Sequence, residues 1–146
     1  MKSRQPGPSA AHRPIAERAA RNPDREAVRL AMKPYLEPPP ADDDGLTEFV
    51  LAHTRFHGVL ASLAENRVLE MMLQTIGQIV THHVLGHADP RHDRETIESD
   101  HAAIAKAVTA GAPKKAAEAM ERHINTMIDV YETHLGAQLN DFIDWL

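Results

Sequence analysis

Residues 100–124 read DHAAIAKAVTAGAPKKAAEAMERHI, two apolar stripes joined by AGAP at 110–113. Before the break, Ile97, His101, Ile104, Ala105 and Val108 recur at spacings of three and four, the repeat of one helix face. Beyond it, Ala116, Met120, His123, Met127 and Tyr131 do the same, with Ile124 and Ile128 beside them. Gly and Pro in so short a connection stop one helix and start the next. Such helices run antiparallel, and neither buries its stripe alone. The chain is thereby committed to helix pairing across tight turns.

The rest of the sequence extends this pattern. AAHRPIAERAARNP gives a first helix over about residues 12–21, and NPDREAVRLAMKPYL gives a second. In the second, Asn22 can cap, Pro23 suits the first turn, and Asp24 and Glu26 favour the positive helix end. Pro34 weakens its last turn, and EPPPADDD at 37–44 is a loop because consecutive prolines cannot propagate a helix. A third helix spans about 44–65, with Leu46, Val50, His53, His57, Leu60 and Ala64 on one face, and breaks at AEN, 64–66. A fourth spans about 67–85, with Leu69, Met72, Leu73, Ile76, Val80 and His83 on its stripe. GHADPRHD, 86–93, is the next loop, and the final helix can run past Gly136 towards FIDWL. Stretches rich in Val, Ile, Thr and Tyr are absent, and aromatic residues are only 4%. The expected fold is all-α, an antiparallel bundle of about six helices.

A chain of 146 residues suits one domain with one substantial core. Residues 1–10, MKSRQPGPSA, read as a disordered arm or a cloning remnant, without the apolar centre of a signal peptide. Residues 11–146 read as the helical domain. The formal charge of −5 and pI of about 6.0 are opposite to the basic footprint of a nucleic-acid binder. The absence of Cys rules out disulfides, thiolate metal sites and cysteine nucleophiles, and suits a cytoplasmic protein. No apolar run approaches the ~20 residues of a membrane span.

The 10 histidines carry the chemistry. His53 and His57, in HTRFH, are one helical turn apart on an apolar face, so their rings can converge. His101 and His123 flank AGAP at similar distances, and antiparallel helices can bring them to one depth. Neutral imidazole is the commonest ligand for Zn, Ni, Cu and Fe. Four unpartnered buried rings would cost about 1–3 kcal/mol each, and one metal ion resolves all of them. The plainer alternative is four core histidines, each hydrogen-bonded separately. A second alternative pairs His83 and His87 with His53 and His57 as a di-iron bundle. That arrangement wants inward bridging carboxylates, but Glu65 lies at a helix end, and Glu70 and Glu98 fall off the stripes. A third is a His-ligated metalloenzyme that activates water. It lacks an inward general base other than Asp100, which adjoins a candidate ligand and suits an orienting or capping role. His12, His82, His92 and His134 read as surface or terminal residues.

HTRFHGVLASLAENRVLEMML followed by DHAAIAKAVTAGAPKKAAEAMERHI resembles the FCD domain, the C-terminal ligand-binding domain of FadR-type GntR transcription regulators. The resemblance rests on Phe56, His57 and Asn66, then Asp100, His101, Ile104, Ala107, Gly111, Ala116, Met120 and His123, and covers about residues 13–135. It implies a helical bundle around a buried divalent metal, held by residues matching His53, His57, His101 and His123. At position 53 the family usually carries Asp, so His53 is a departure. Four neutral ligands leave the ion its full positive charge. They favour Zn or Ni over Mn or Mg and suit an anionic effector, a small organic acid in this family. His83, Arg55 and Gln78 are the expected effector contacts. A three-His site with His53 turned away is the other reading. Family regulators begin with a winged helix-turn-helix, and residues 1–45 do not match one. The chain thus reads as the sensing part of a homodimeric regulator, not an enzyme, reaching DNA only through such a domain.

Overall fold

The computed structural model describes residues 9–37, 45–72, 74–75 and 90–143, with side chains over 13–37, 45–72, 74–75 and 91–130. These form α1 (Ser9–Ala20), α2 (Arg25–Leu36), α3 (Leu46–Leu63), α4 (helical over 67–72), a 3-10 turn (Pro90–Asp93), α5 (Arg94–Thr109) and α6 (Pro113–Ile143). No strand occurs among the described residues. Helix α1 packs on α6 and α3, α5 packs on α6, and α2 packs on α5. Small side chains carry the α1–α6 contact: Ala16, Ala19 and Ala20 are buried on one helix, and Ala116 and Ala119 on the other.

Helix ends depart from expectation in instructive ways. Helix α1 begins at Ser9, so residues 9–10 of the expected arm are helical, while residues 1–8 lie outside the described residues. The cap of α2 is Asp24, whose carboxylate accepts from Ala27 N at 3.0 Å. Asn22, the expected cap, instead accepts from Asp24 N at 2.9 Å and donates its Nδ2 to Leu63 O at 2.8 Å. It thereby ties the α1–α2 turn to the end of α3. Pro34 falls in the last turn of α2, removing one backbone donor without ending the helix before Leu36.

Both α3 and α5 end in a Schellman motif. At α5, Gly111 takes a positive φ of 63°, Gly111 N donates to Val108 O and Ala112 N to Ala107 O. At α3 the same geometry is carried by Glu65, φ 56°, with Glu65 N bonded to Ser62 O and Asn66 N to Ala61 O. Asn66 Oδ1 then accepts from Leu69 N at 3.1 Å, so this residue ends one helix and caps the next. Arg25 fastens the same end of the bundle. Its guanidinium donates to Ala20 O, Asn22 O, Val108 O and Thr109 O at 2.8–3.1 Å, satisfying carbonyls at two helix C-termini.

The core divides along the bundle. The larger apolar cluster contains Ile15, Val28, Met32, Phe56, Leu60, Ile104, Val108 and Met120. The smaller contains Phe49, Val50, Ile97 and Met127, with the Arg94 guanidinium over the Phe49 ring at 4.6 Å. Three helices pass from one cluster to the other, and each places histidine at the junction. On α3 the order is Phe49 and Val50, His53, then Phe56 and Leu60; on α5 it is Ile97, His101, Ile104; on α6 it is Met120, His123, Met127.

Helix α4 corrects one expectation. Leu69 is partly buried against the core, but Met72, assigned to the inner stripe, is 53% exposed, beside exposed Val68 and Met71. Spacing defines a stripe, and the neighbouring helix decides how much of it is covered. Leu73, Ile76, Val80 and His83 lie outside the described residues.

Candidate metal centre

The four histidines predicted from helix phase form one cluster. All six ring pairs among His53, His57, His101 and His123 have centroids 4.7–5.6 Å apart. One nitrogen from each ring can be chosen so that all lie within 4.8 Å of one another. His57 Nε2 and His123 Nε2 are the closest identified pair, at 3.2 Å. A tetrahedral ion with ~2.0–2.1 Å bonds to nitrogen separates neighbouring ligand atoms by about 3.3–3.4 Å. That pair therefore already stands at ligand-to-ligand spacing. The widest separation must contract for a tetrahedron, and is nearer the ~4.2 Å of opposite ligands around a six-coordinate ion with similar bonds.

Burial sets the protonation state. His101 and His123 are buried, at 7% and 0% exposure, while His53 and His57 are partly buried. Desolvation pushes the His53 pKa down to about 4. It pushes His101 down to about 2, helped by the neighbouring His53 and His123 rings. Both are neutral near pH 7, the form that offers a lone pair to a metal. His53 Nδ1 and His101 Nε2 are buried without a hydrogen bond. Such atoms cost about 1–3 kcal/mol each unless something occupies their lone pairs. Chemically the residues fit a divalent ion: an all-imidazole, converging donor set in which His53 and His101 are neutral and carry buried nitrogens without a hydrogen bond.

Aromatic packing holds the rings in place. Phe56 stacks on His101 with centroids 4.0 Å apart and planes 20° apart, and meets His57 edge-on at 5.4 Å. Tyr35 on α2 packs edge-on against Phe56 at 4.8 Å. This backing was not expected from the sequence, where Tyr35 carries no periodic signal and Phe56 figures only in a motif. Asp100 lies against the cluster, with Oδ2 3.5 Å from His123 Nδ1. The sequence places it beside His101, and the fold turns it across to α6.

Other expected site residues fall elsewhere. Arg55 is exposed on the face of α3 opposite His53 and His57, so it is not brought to the rings. It lines an open groove of about 500 Å³ with Leu51, Gly58, Val59, Glu70 and Gln74. Gln78, His83 and His87 lie outside the described residues. Glu98 pairs with Arg94 at 3.4 Å. Among the described residues no carboxylate belongs to the ligand-capable group, so the di-iron alternative lacks its bridges there.

The FCD domain model matches residues 9–126 of this chain. No curated protein and no solved structure matches it. FCD domains are the C-terminal ligand-binding domains of GntR-family regulators, sensors rather than enzymes. With most of its length matched and an all-helical bundle built around a histidine cluster that could bind a metal, the chain belongs to the FCD family.

Proposed function

We propose that this domain senses a small organic acid through a divalent metal ion, Zn or Ni, held by His53, His57, His101 and His123. The observation that carries the reading is the convergence of four imidazoles at the junction of two apolar clusters, with His53 Nδ1 and His101 Nε2 buried and lacking a hydrogen bond. Imidazole donors suit Zn and Ni better than Mn or Mg. An all-neutral ligand set leaves the ion's charge uncompensated, which favours an anionic ligand such as a carboxylate. His83 and Gln78 remain candidate effector contacts, whereas Arg55 faces away from the rings and is not assigned to them.

In this reading the domain works as a cytoplasmic homodimer, and DNA is engaged only through a winged helix-turn-helix of the regulator. The effector biases helix packing between two states, in proportion to its difference in affinity for them. Thermal unfolding tests the reading. With Zn or Ni bound, a panel of small mono- and dicarboxylates should contain members that raise the midpoint. At one hundred times the Kd, about 2.7 kcal/mol of stabilisation is expected. Stabilisation that persists unchanged in chelator, or no response to any acid in the metal-loaded protein, contradicts it.

A further inference from the structure

Asp100 stands next to His101 on α5, yet its carboxylate addresses His123 on α6. Oδ2 lies 3.5 Å from His123 Nδ1, while Nε2 of the same ring lies 3.2 Å from His57 Nε2. The two nitrogens of His123 thus face different surroundings: one a carboxylate, the other the imidazole cluster. His123 is fully buried, and the Asp100 side chain is 22% exposed. Oδ2 itself is buried and accepts no hydrogen bond. A movement of about 0.6 Å would close the gap to the ~2.9 Å of a charge-assisted bond.

A neutral imidazole has one proton for two nitrogens, so the nitrogen that donates decides which one keeps a lone pair. We propose that Asp100 is a positioning residue for His123, accepting the Nδ1 proton and so committing Nε2 to the metal. This rests on the metal site proposed above. The carboxylate also places a negative charge against an otherwise neutral ligand set. An outer carboxylate of this kind orients the ring and raises its basicity, and its loss typically costs 10–100-fold in metal affinity.

The test compares zinc affinity, by chelator competition, in the unaltered protein, Asp100→Asn and Asp100→Glu. It is combined with thermal unfolding of each metal-free protein and ¹⁵N NMR of His123 in the zinc-loaded unaltered protein. The expected result has four parts: D100N binds zinc 10–100-fold more weakly, D100E recovers at least part of the loss, the metal-free midpoints stay close together, and the NMR spectrum shows Nδ1 protonated with zinc on Nε2. Wild-type affinity in D100N overturns the inference and leaves the metal site standing. So does zinc on His123 Nδ1, a result that needs no variant to fold. Equal weakening in D100N and D100E, with both metal-free proteins destabilised, assigns Asp100 a purely structural role and also overturns it. An unaltered protein that takes up no zinc defeats the metal site itself, and this inference with it.

Discussion

Acidification should destabilise the metal-free domain through its buried imidazoles. His53 titrates near 4 and His101 near 2 in the folded protein, against an ordinary value of 6.5. Both folded values lie below the unfolded one. As pH falls, the unfolded chain therefore takes up the proton first, and stability that is fully present above about pH 6.5 is progressively lost. Each such group contributes about 1.4 kcal/mol per pH unit in this window. Between about pH 6.5 and 4.5 the two together remove about 5 kcal/mol, comparable to the lower end of whole-domain stability. Asp100 opposes the trend weakly, because burial raises its pKa and the folded state welcomes its proton. For a domain of this size about 5 kcal/mol corresponds to a fall of roughly 15 °C in Tm. Circular dichroism melts of chelator-treated protein across this range measure it. His101→Gln removes one titrating group and should roughly halve the fall between about pH 6.5 and 4.5. The comparison also separates the imidazoles from carboxylates that begin to titrate at the acid end. A midpoint that does not move in unaltered protein, or a fall of equal size in the variant, refutes the reasoning.

Four further outcomes follow from the backbone geometry and the packing. Glu65→Gly should stabilise the protein by about 0.5–1 kcal/mol, because Glu65 holds a left-handed conformation that glycine adopts freely. Gly111→Ala should do the reverse by about 1 kcal/mol, and urea denaturation reads both. Arg25→Met should cost about 1–2 kcal/mol by the same assay, since it releases carbonyls at the ends of α1 and α5; metal stoichiometry should be unchanged. Phe56→Ala should cost about 3–5 kcal/mol through the cavity it leaves, and should also weaken metal binding, because His101 loses its stacked neighbour.

The histidine cluster was legible because helix phase is a local property. A spacing of four within α3, and similar distances from AGAP on α5 and α6, require no knowledge of the rest of the fold. The same logic overreached at Met72. There the phase of α4 is set by its own sequence, but burial depends on what packs against each position, and Met72 stays 53% exposed. The cap of α2 was placed two residues early because Asn22 and Asp24 are both competent caps, and only the contact to Leu63 O decides between them. Glu65 was invisible for a related reason: a left-handed C-terminus is normally announced by glycine, as at Gly111, and here a charged residue accepts the strain. The Asp100–His123 approach and the Tyr35–Phe56–His101 stack join separate helices, so no spacing along the chain encodes them.

The central claim is that four imidazoles hold a metal ion. Elemental mass spectrometry on protein purified without an affinity tag tests it most directly, with His57→Ala and His123→Ala alongside. About one Zn or Ni per chain is expected in the unaltered protein and little in either variant. A metal-free protein that stays metal-free after incubation with Zn and Ni, or variants that retain the full complement, would contradict it.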